Sequence, residues 1–145
     1  MDVGEKIQVD VVVGDIPEPD GSGDGTTWSH GGLHSFALLV TYDSEVLRVT
    51  DSDARMMIEA NQRSLVYVEG DRPPDSDGSL YTAVIDSWES GLESGNGVLA
   101  RITFEAVAPG ESSLGIADSS VSDPWGAYVV DDARDARVVV GGVCE

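Results

Sequence analysis

Asp20-Gly21-Ser22-Gly23-Asp24-Gly25 is the stretch whose residue types come nearest to metal chemistry. It matches the start of a D-x-[DNS]-x-[DN]-G loop, in which Asp20, Ser22 and Asp24 would supply oxygen ligands for calcium and glycine permits the sharp turn. The twelfth position is Gly31, so the bidentate Glu of such a loop is missing, and a solvated acidic loop is the competing reading. Asp75-Ser76-Asp77-Gly78 is weaker still, because Pro73 stands at the first ligand position. His30 and His34 are four apart, a zinc spacing on a helix, but Gly31-Gly32 between them disfavours a helix and no third ligand is indicated. A glycosidase needs two carboxylates several ångströms apart, yet acids are so abundant here that any pair is expected by chance. No nucleophile–base pairing and no phosphate cradle stand out, so catalysis is rejected. Trp28, Trp88, Trp125 and Tyr128 could stack on sugar rings, as in a carbohydrate-binding module. They lie in three separate loops, and aromatics are only 6% of the chain, which favours protein docking over a stacking platform.

The 145 residues suit one domain with a single core, and the formal net charge is -19, with 27 acidic residues against 8 basic ones. That balance excludes nucleic acid and anionic membrane surfaces as partners, because no basic patch could offset phosphate repulsion. Lys6 is the only lysine. An acid-rich, lysine-poor surface suits high salt, where screening relieves self-repulsion, and it suits an ordinary secreted acidic module equally well. No apolar run reaches the ~18 residues needed to span a bilayer. The opening Met1-Asp2-Val3-Gly4 is no signal peptide, so the expectation is a domain excised from a longer secreted protein. Cys144, the lone cysteine, can form no internal disulfide or zinc site; it reads as a free thiol near the end, or as a partner for a cysteine beyond Glu145.

The elements that must position these residues are strands. Ile7, Val9, Val11 and Val13 alternate with Gln8, Asp10 and Val12, giving a strand with one buried face. Phe36, Leu38, Val40 and Tyr42 alternate likewise with Ser35, Ala37, Leu39 and Thr41. Asp43-Ser44 supplies a polar turn into Val46–Thr50. Ser64–Glu69, Leu80–Ile85, Val98–Ala106, Ser113–Asp118 and Arg137–Val140 complete the set, separated by Gly-, Pro- and Asp-rich turns. Ala54–Gln62 is the only good helix-forming stretch, with Met56, Met57 and Ala60 facing inward. About eight short strands and at most one short helix indicate an all-β, antiparallel β-sandwich.

Several segments carry a family likeness. Val3-Gly4-Glu5-Lys6-Ile7-Gln8-Val9, Phe36-Ala37-Leu38 through Tyr42-Asp43-Ser44-Glu45-Val46-Leu47, Ser94-Gly95-Asn96-Gly97-Val98-Leu99-Ala100-Arg101-Ile102-Thr103-Phe104 and Ser122-Asp123-Pro124-Trp125-Gly126 resemble, in order and spacing, the cohesin domains of cellulosomes and related cell-surface assemblies. No single segment is specific; together they cover most of the chain. The resemblance implies a jelly-roll sandwich at the cell surface or outside the cell that binds a dockerin through one open sheet face. It implies no cofactor of the chain's own, with calcium carried by the dockerin, and contact with polysaccharide only through a parent protein. The docking sheet would hold Ser35–Thr41, Ser64–Glu69, Leu80–Ile85 and Ser113–Asp118. The family's strand ahead of the Val3-Gly4-Glu5 opening is missing.

The residues point to the same face by periodicity. If Phe36, Leu38, Val40 and Tyr42 face the core, then Ser35, Ala37, Leu39 and Thr41 face out. Tyr81, Ala83 and Ile85 form a matching row if Leu80, Thr82 and Val84 face in, although the opposite phase of that strand is nearly as defensible. Tyr67, Leu114 and Ile116 complete the expected docking set. Many cohesins carry Asn or Asp on the outward positions of the first of these strands, where this chain has Ser35 and Ala37. A more hydrophobic docking mode is therefore expected, with a structural domain of a surface or adhesion protein as a further alternative.

Overall fold

The computed structural model describes residues 1–18, 31–58, 66–86, 94–123, 126–128 and 134–141, with the backbone only at 126 and 127. The calcium candidates Asp20, Ser22 and Asp24, together with Trp28, His30, Trp88, Trp125 and Cys144, lie outside the described residues.

Alternating apolar side chains and Gly-, Pro- and Asp-rich breaks produce nine strands among the described residues: β1 (Lys6–Ile16), β2 (Ser35–Thr41), β3 (Leu47–Asp53), β4 (Val66–Gly70), β5 (Ser79–Asp86), β6 (Gly95–Ala106), β7 (Gly110–Asp123), the two-residue β8 (Gly126–Ala127) and β9 (Ala136–Val140). All pairings are antiparallel. One sheet has the order β1-β6-β3; the other runs β4-β5-β2-β7-β8, with β9 also paired to β7. The two sheets close on each other as a jelly-roll sandwich, and among the described residues there is no helix.

Two apolar clusters fill the space between the sheets. One joins Val40, Tyr42, Leu47, Val49, Leu80, Ile102, Phe104 and Leu114; the other joins Phe36, Leu38, Met57, Ile58, Val84, Leu99 and Val121. Tyr42 meets the fully buried Phe104 edge-on, ring centroids 5.5 Å apart, a geometry favoured by the aromatic quadrupole. The Asp43 turn carries the chain from one sheet to the other. The Asp43 carboxylate accepts the Glu45 N–H at 2.9 Å, its carbonyl accepts those of Val46 and Leu47, and Ser112 Oγ accepts the Asp43 N–H. The β4–β5 loop is tied to β3 by reciprocal Val49–Asp75 backbone hydrogen bonds of 2.8 and 2.9 Å. At the start of the chain the Met1 carbonyl accepts the Gly141 N–H at 2.7 Å, just past β9.

The helix expected over Ala54–Gln62 does not form in its described part. Residues 54–58 make a turn in which Ala54, Met57 and Ile58 are buried, and Met57 N–H bonds to Val98 O across to β6. Packing against the neighbouring sheet outweighs the modest helix propensity of a short segment. Residues 59–62 lie outside the described set.

Candidate docking face

On β2, Phe36, Leu38 and Val40 are buried while Ser35, Ala37, Leu39 and Thr41 are partly exposed, as the period-two pattern requires. On β5, Leu80, Thr82 and Val84 point inward, and Tyr81, Ala83 and Ile85 outward, which settles the phase of that strand. Register then assembles rows across the outer face of the six-stranded sheet. Tyr67, Ile85, Ser35 and Ser122 form one row, Glu69, Ala83, Ala37 and Ser120 the next, and Tyr81, Leu39 and Asp118 a third. Tyr67 is 62% exposed, Tyr81 44% and Ile85 41%, high values for large apolar side chains. Ser35, Ala37, Tyr67, Glu69, Ala83 and Ile85 surround a shallow hollow of about 210 Å³. The face is therefore apolar in its middle, with two small alanines giving a low floor.

Leu114 and Ile116 are corrections. Leu114 is 5% exposed and belongs to the core, and Ile116 pairs with the inward-facing Val40. Strand β7 is 14 residues long and changes phase: Val40 pairs with Ile116, but Leu39 pairs with Asp118, leaving Ala117 as an extra residue in a bulge. Beyond the bulge it is Asp118, Ser120 and Ser122 that face out, and sequence reasoning missed these three and Glu69. One signal was present. Ile116 and Val121 are five apart, an odd interval, so both cannot face inward on a regular strand.

The outer face of the three-stranded sheet is built differently. Glu105 sits between Lys6 and Arg48 across the strands, and Arg48 pairs with it at 2.6 Å. Arg101 sits between Asp10 and Asp53 and grips Asp10 with two bonds of 2.7 and 3.0 Å. The Arg101 bonds hold the Asp10 carboxyl below its usual range, and Asp10 in turn raises Arg101. These exposed pairs add little stability. They do occupy their own face with charge compensated in place, beside the exposed Val12 of β1.

The remaining candidates are accounted for by packing where they are described. Tyr42 OH donates to Asp75 Oδ2 at 2.5 Å, and burial together with that bond pushes the phenol well above its ordinary range. Asp75 is itself raised by partial burial, the charges of Asp77 and Asp71 adding to this and the Tyr42 hydrogen bond opposing it. His34 lies between β5 and β7: its N–H donates to Ser122 O and its carbonyl accepts the Asp86 N–H. Burial holds its imidazole below the usual value, against the upward pull of Asp86 and Asp123. Among the described residues no group of His, Cys, Asp and Glu is arranged to hold a metal ion. Tyr128 packs against the core and donates its hydroxyl to Gly32 O at 2.8 Å, so its ring is part of the sandwich end and not an open stacking surface. Burial, with the nearby Asp123 charge, pushes its phenol up to about 12. The inner face of β1 is only half covered: Val9, Val11 and Val13 border a cavity of about 300 Å³ that also touches Leu38, Phe104 and Ile116.

Comparison with protein-family models finds no match, and comparison with curated proteins finds none. Comparison with solved structures finds cohesin domains. The OlpA cohesin of Clostridium thermocellum, solved as a type I complex with the dockerin Doc918, superposes with a TM-score of 0.71 at 16% identity, over 97% of this chain and 92% of that one. The sixth cohesin of scaffoldin B from Acetivibrio cellulolyticus, solved with a Cel5 dockerin, gives 0.67 at 19% identity over 97% and 92%. The CaCohA2 solution structure from Clostridium acetobutylicum gives 0.68 at 18% identity over 99% and 86%. The chain has the cohesin fold.

Proposed function

We propose that this chain is a non-catalytic interaction module that binds a dockerin through the outer face of β4-β5-β2-β7 and so anchors or assembles proteins at or outside the cell surface. One observation carries the choice of face. The six-stranded sheet exposes Tyr67, Tyr81, Ile85, Leu39, Ala37 and Ala83 in adjoining rows, whereas the three-stranded sheet exposes Val12 among paired charges. A contiguous exposed apolar patch marks a site of protein contact. Its fold neighbours from Acetivibrio cellulolyticus and Clostridium thermocellum were solved in complex with dockerins, which suggests the class of partner. Calcium belongs to the partner in this reading. No helix among the described residues is long and apolar enough to cross a membrane.

The test is calorimetric titration of the chain against a panel of dockerins, in calcium and again in EDTA. One-to-one, calcium-dependent binding that disappears in Leu39→Asp, with the variant still folded and only modestly less stable because the new carboxylate faces Asp118, is the expected result. Leu39 is outward and partly exposed, so a carboxylate there charges the face without entering the core. Absence of binding to every dockerin, with retention on polysaccharide instead, would overturn the proposal in favour of a sugar-binding module.

A further inference from the structure

The docking face has an apolar floor between two acidic banks. On one side stand Glu69 of β4 and Asp71 just beyond it; Asp71 Oδ2 accepts the Tyr81 N–H at 2.9 Å, which fixes that carboxylate beside the Tyr81 row. On the other side stands Asp118, paired across from Leu39 and turned outward by the Ala117 bulge. Glu69, Asp71 and Asp118 are all exposed. None of the four strands β4, β5, β2 and β7 contains a lysine or an arginine, so among the described residues no cation of these strands answers these acids. On the opposite sheet, Glu105 and Asp10 are each answered by an arginine. Strands β4 and β7 are three strand spacings apart, which places the two banks about 14 Å from each other.

We infer that the partner presents an apolar ridge flanked on both sides by Lys or Arg, with Glu69 and Asp71 reading one flank and Asp118 the other. This deepens the docking proposal and rests on its choice of face. Rim charges of this kind act on encounter and on discrimination more than on total affinity. A net charge of -19 draws cationic flanks in from a distance and repels acidic surfaces, so a partner with acidic flanks meets like charge at both banks. The apolar floor supplies the adhesion, and the banks decide which apolar ridge is admitted.

A displayed library of random peptides, selected on the wild-type chain and counter-selected on Leu39→Asp, provides a probe that does not presuppose a dockerin. The recovered sequences are expected to carry Lys or Arg on both sides of an apolar stretch. Their affinity should fall roughly fivefold to tenfold in the Glu69→Gln/Asp118→Asn double variant, as the loss of two exposed charge pairs predicts. It should also fall with added NaCl in the wild type, and less steeply in the double variant, which keeps Asp71 and most of the chain's net charge. Neutral or acidic flanks, affinity indifferent to the double variant, or no Leu39-dependent binder at all would each overturn the inference. The dockerin panel separates the two proposals. A dockerin that binds equally well to the double variant sinks the charge reading and leaves the docking reading standing; charge-dependent library binders with no dockerin binding do the reverse.

Discussion

Asp75 shows how a single carboxyl can serve the fold and burden it. It accepts the Tyr42 hydroxyl and its backbone bridges Val49, yet it is partly withdrawn from water beside Asp71 and Asp77. Its folded-state pKa is raised above that of the unfolded chain. The native state therefore binds more protons between the two values, and the Asp75 contribution to stability falls as pH rises through that window. Asp75→Asn removes the charge and keeps an amide oxygen for the Tyr42 hydroxyl. Thermal unfolding should show the variant gaining on wild type between about pH 3 and about pH 7. An equal loss at both pH values would show that the hydrogen bond to a carboxylate outweighs the burden of its charge. Asp10 has the opposite sign: its pKa is held down by Arg101, so its share of stability is present near neutrality and lost as the pH falls.

At the scale of the element, β2, β5 and β7 differ in how plainly the sequence declares their faces. On β2 the buried Phe36, Leu38 and Val40 alternate with Ser35, Ala37, Leu39 and Thr41, of which only Leu39 is large and apolar, and both faces of that strand are legible in the sequence. On β5 apolar side chains occupy both faces, so pattern alone left the phase open and pairing with β2 decided it. On β7 the run Ala117-Asp118-Ser119-Ser120 has no hydrophobic alternation of its own, so the only sign of the bulge is the odd interval between Ile116 and Val121, and the phase expected for Leu114 and Ile116 is the wrong one. The turn at 54–58 was unreadable for a different reason: it is set by burial of Met57 and Ile58 against β6, a tertiary contact with no local signature. The corrected orientation makes a direct prediction. Leu114→Ala should destabilise the chain by about 2–5 kcal/mol, the range for truncating a buried leucine, as measured by chemical denaturation. Its dockerin affinity under folding conditions should match wild type. A variant that folds normally and loses only partner binding would return Leu114 to the docking face.

The whole molecule carries its charge unevenly. Lys6, Arg48 and Arg101 stand on the outer face of the three-stranded sheet, each beside an acid, while β4, β5, β2 and β7 carry no lysine or arginine and only Glu111, at the start of β7, is met by Arg137 of β9 among the described residues. The sum of -19 favours the expanded chain through self-repulsion, so screening should stabilise the fold. The melting temperature is expected to rise with NaCl, with most of the gain below about 0.3 M, because the Debye length is already near 10 Å at about 0.1 M. A flat salt profile in scanning calorimetry would mean that the acids lie too far apart to repel one another appreciably. Docking to a cation-flanked partner would weaken over the same range. Salt thus sets fold stability and partner affinity in opposition, and the working ionic strength of this chain is where both remain sufficient.

The bulge at Ala117 also bears on how this strand tolerates changes of length. Removing one residue from a regular stretch of β7 would turn everything beyond it over, driving Asp118 and Ser120 toward the core and Val121 into water. Ala117 is the exception. It has no partner on β2, and without it Ile116 and Asp118 would still stand opposite Val40 and Leu39 as consecutive residues. A one-codon deletion there would straighten the strand while keeping each side chain on its present side, so a gene encoding this chain can lose that codon and still specify both faces.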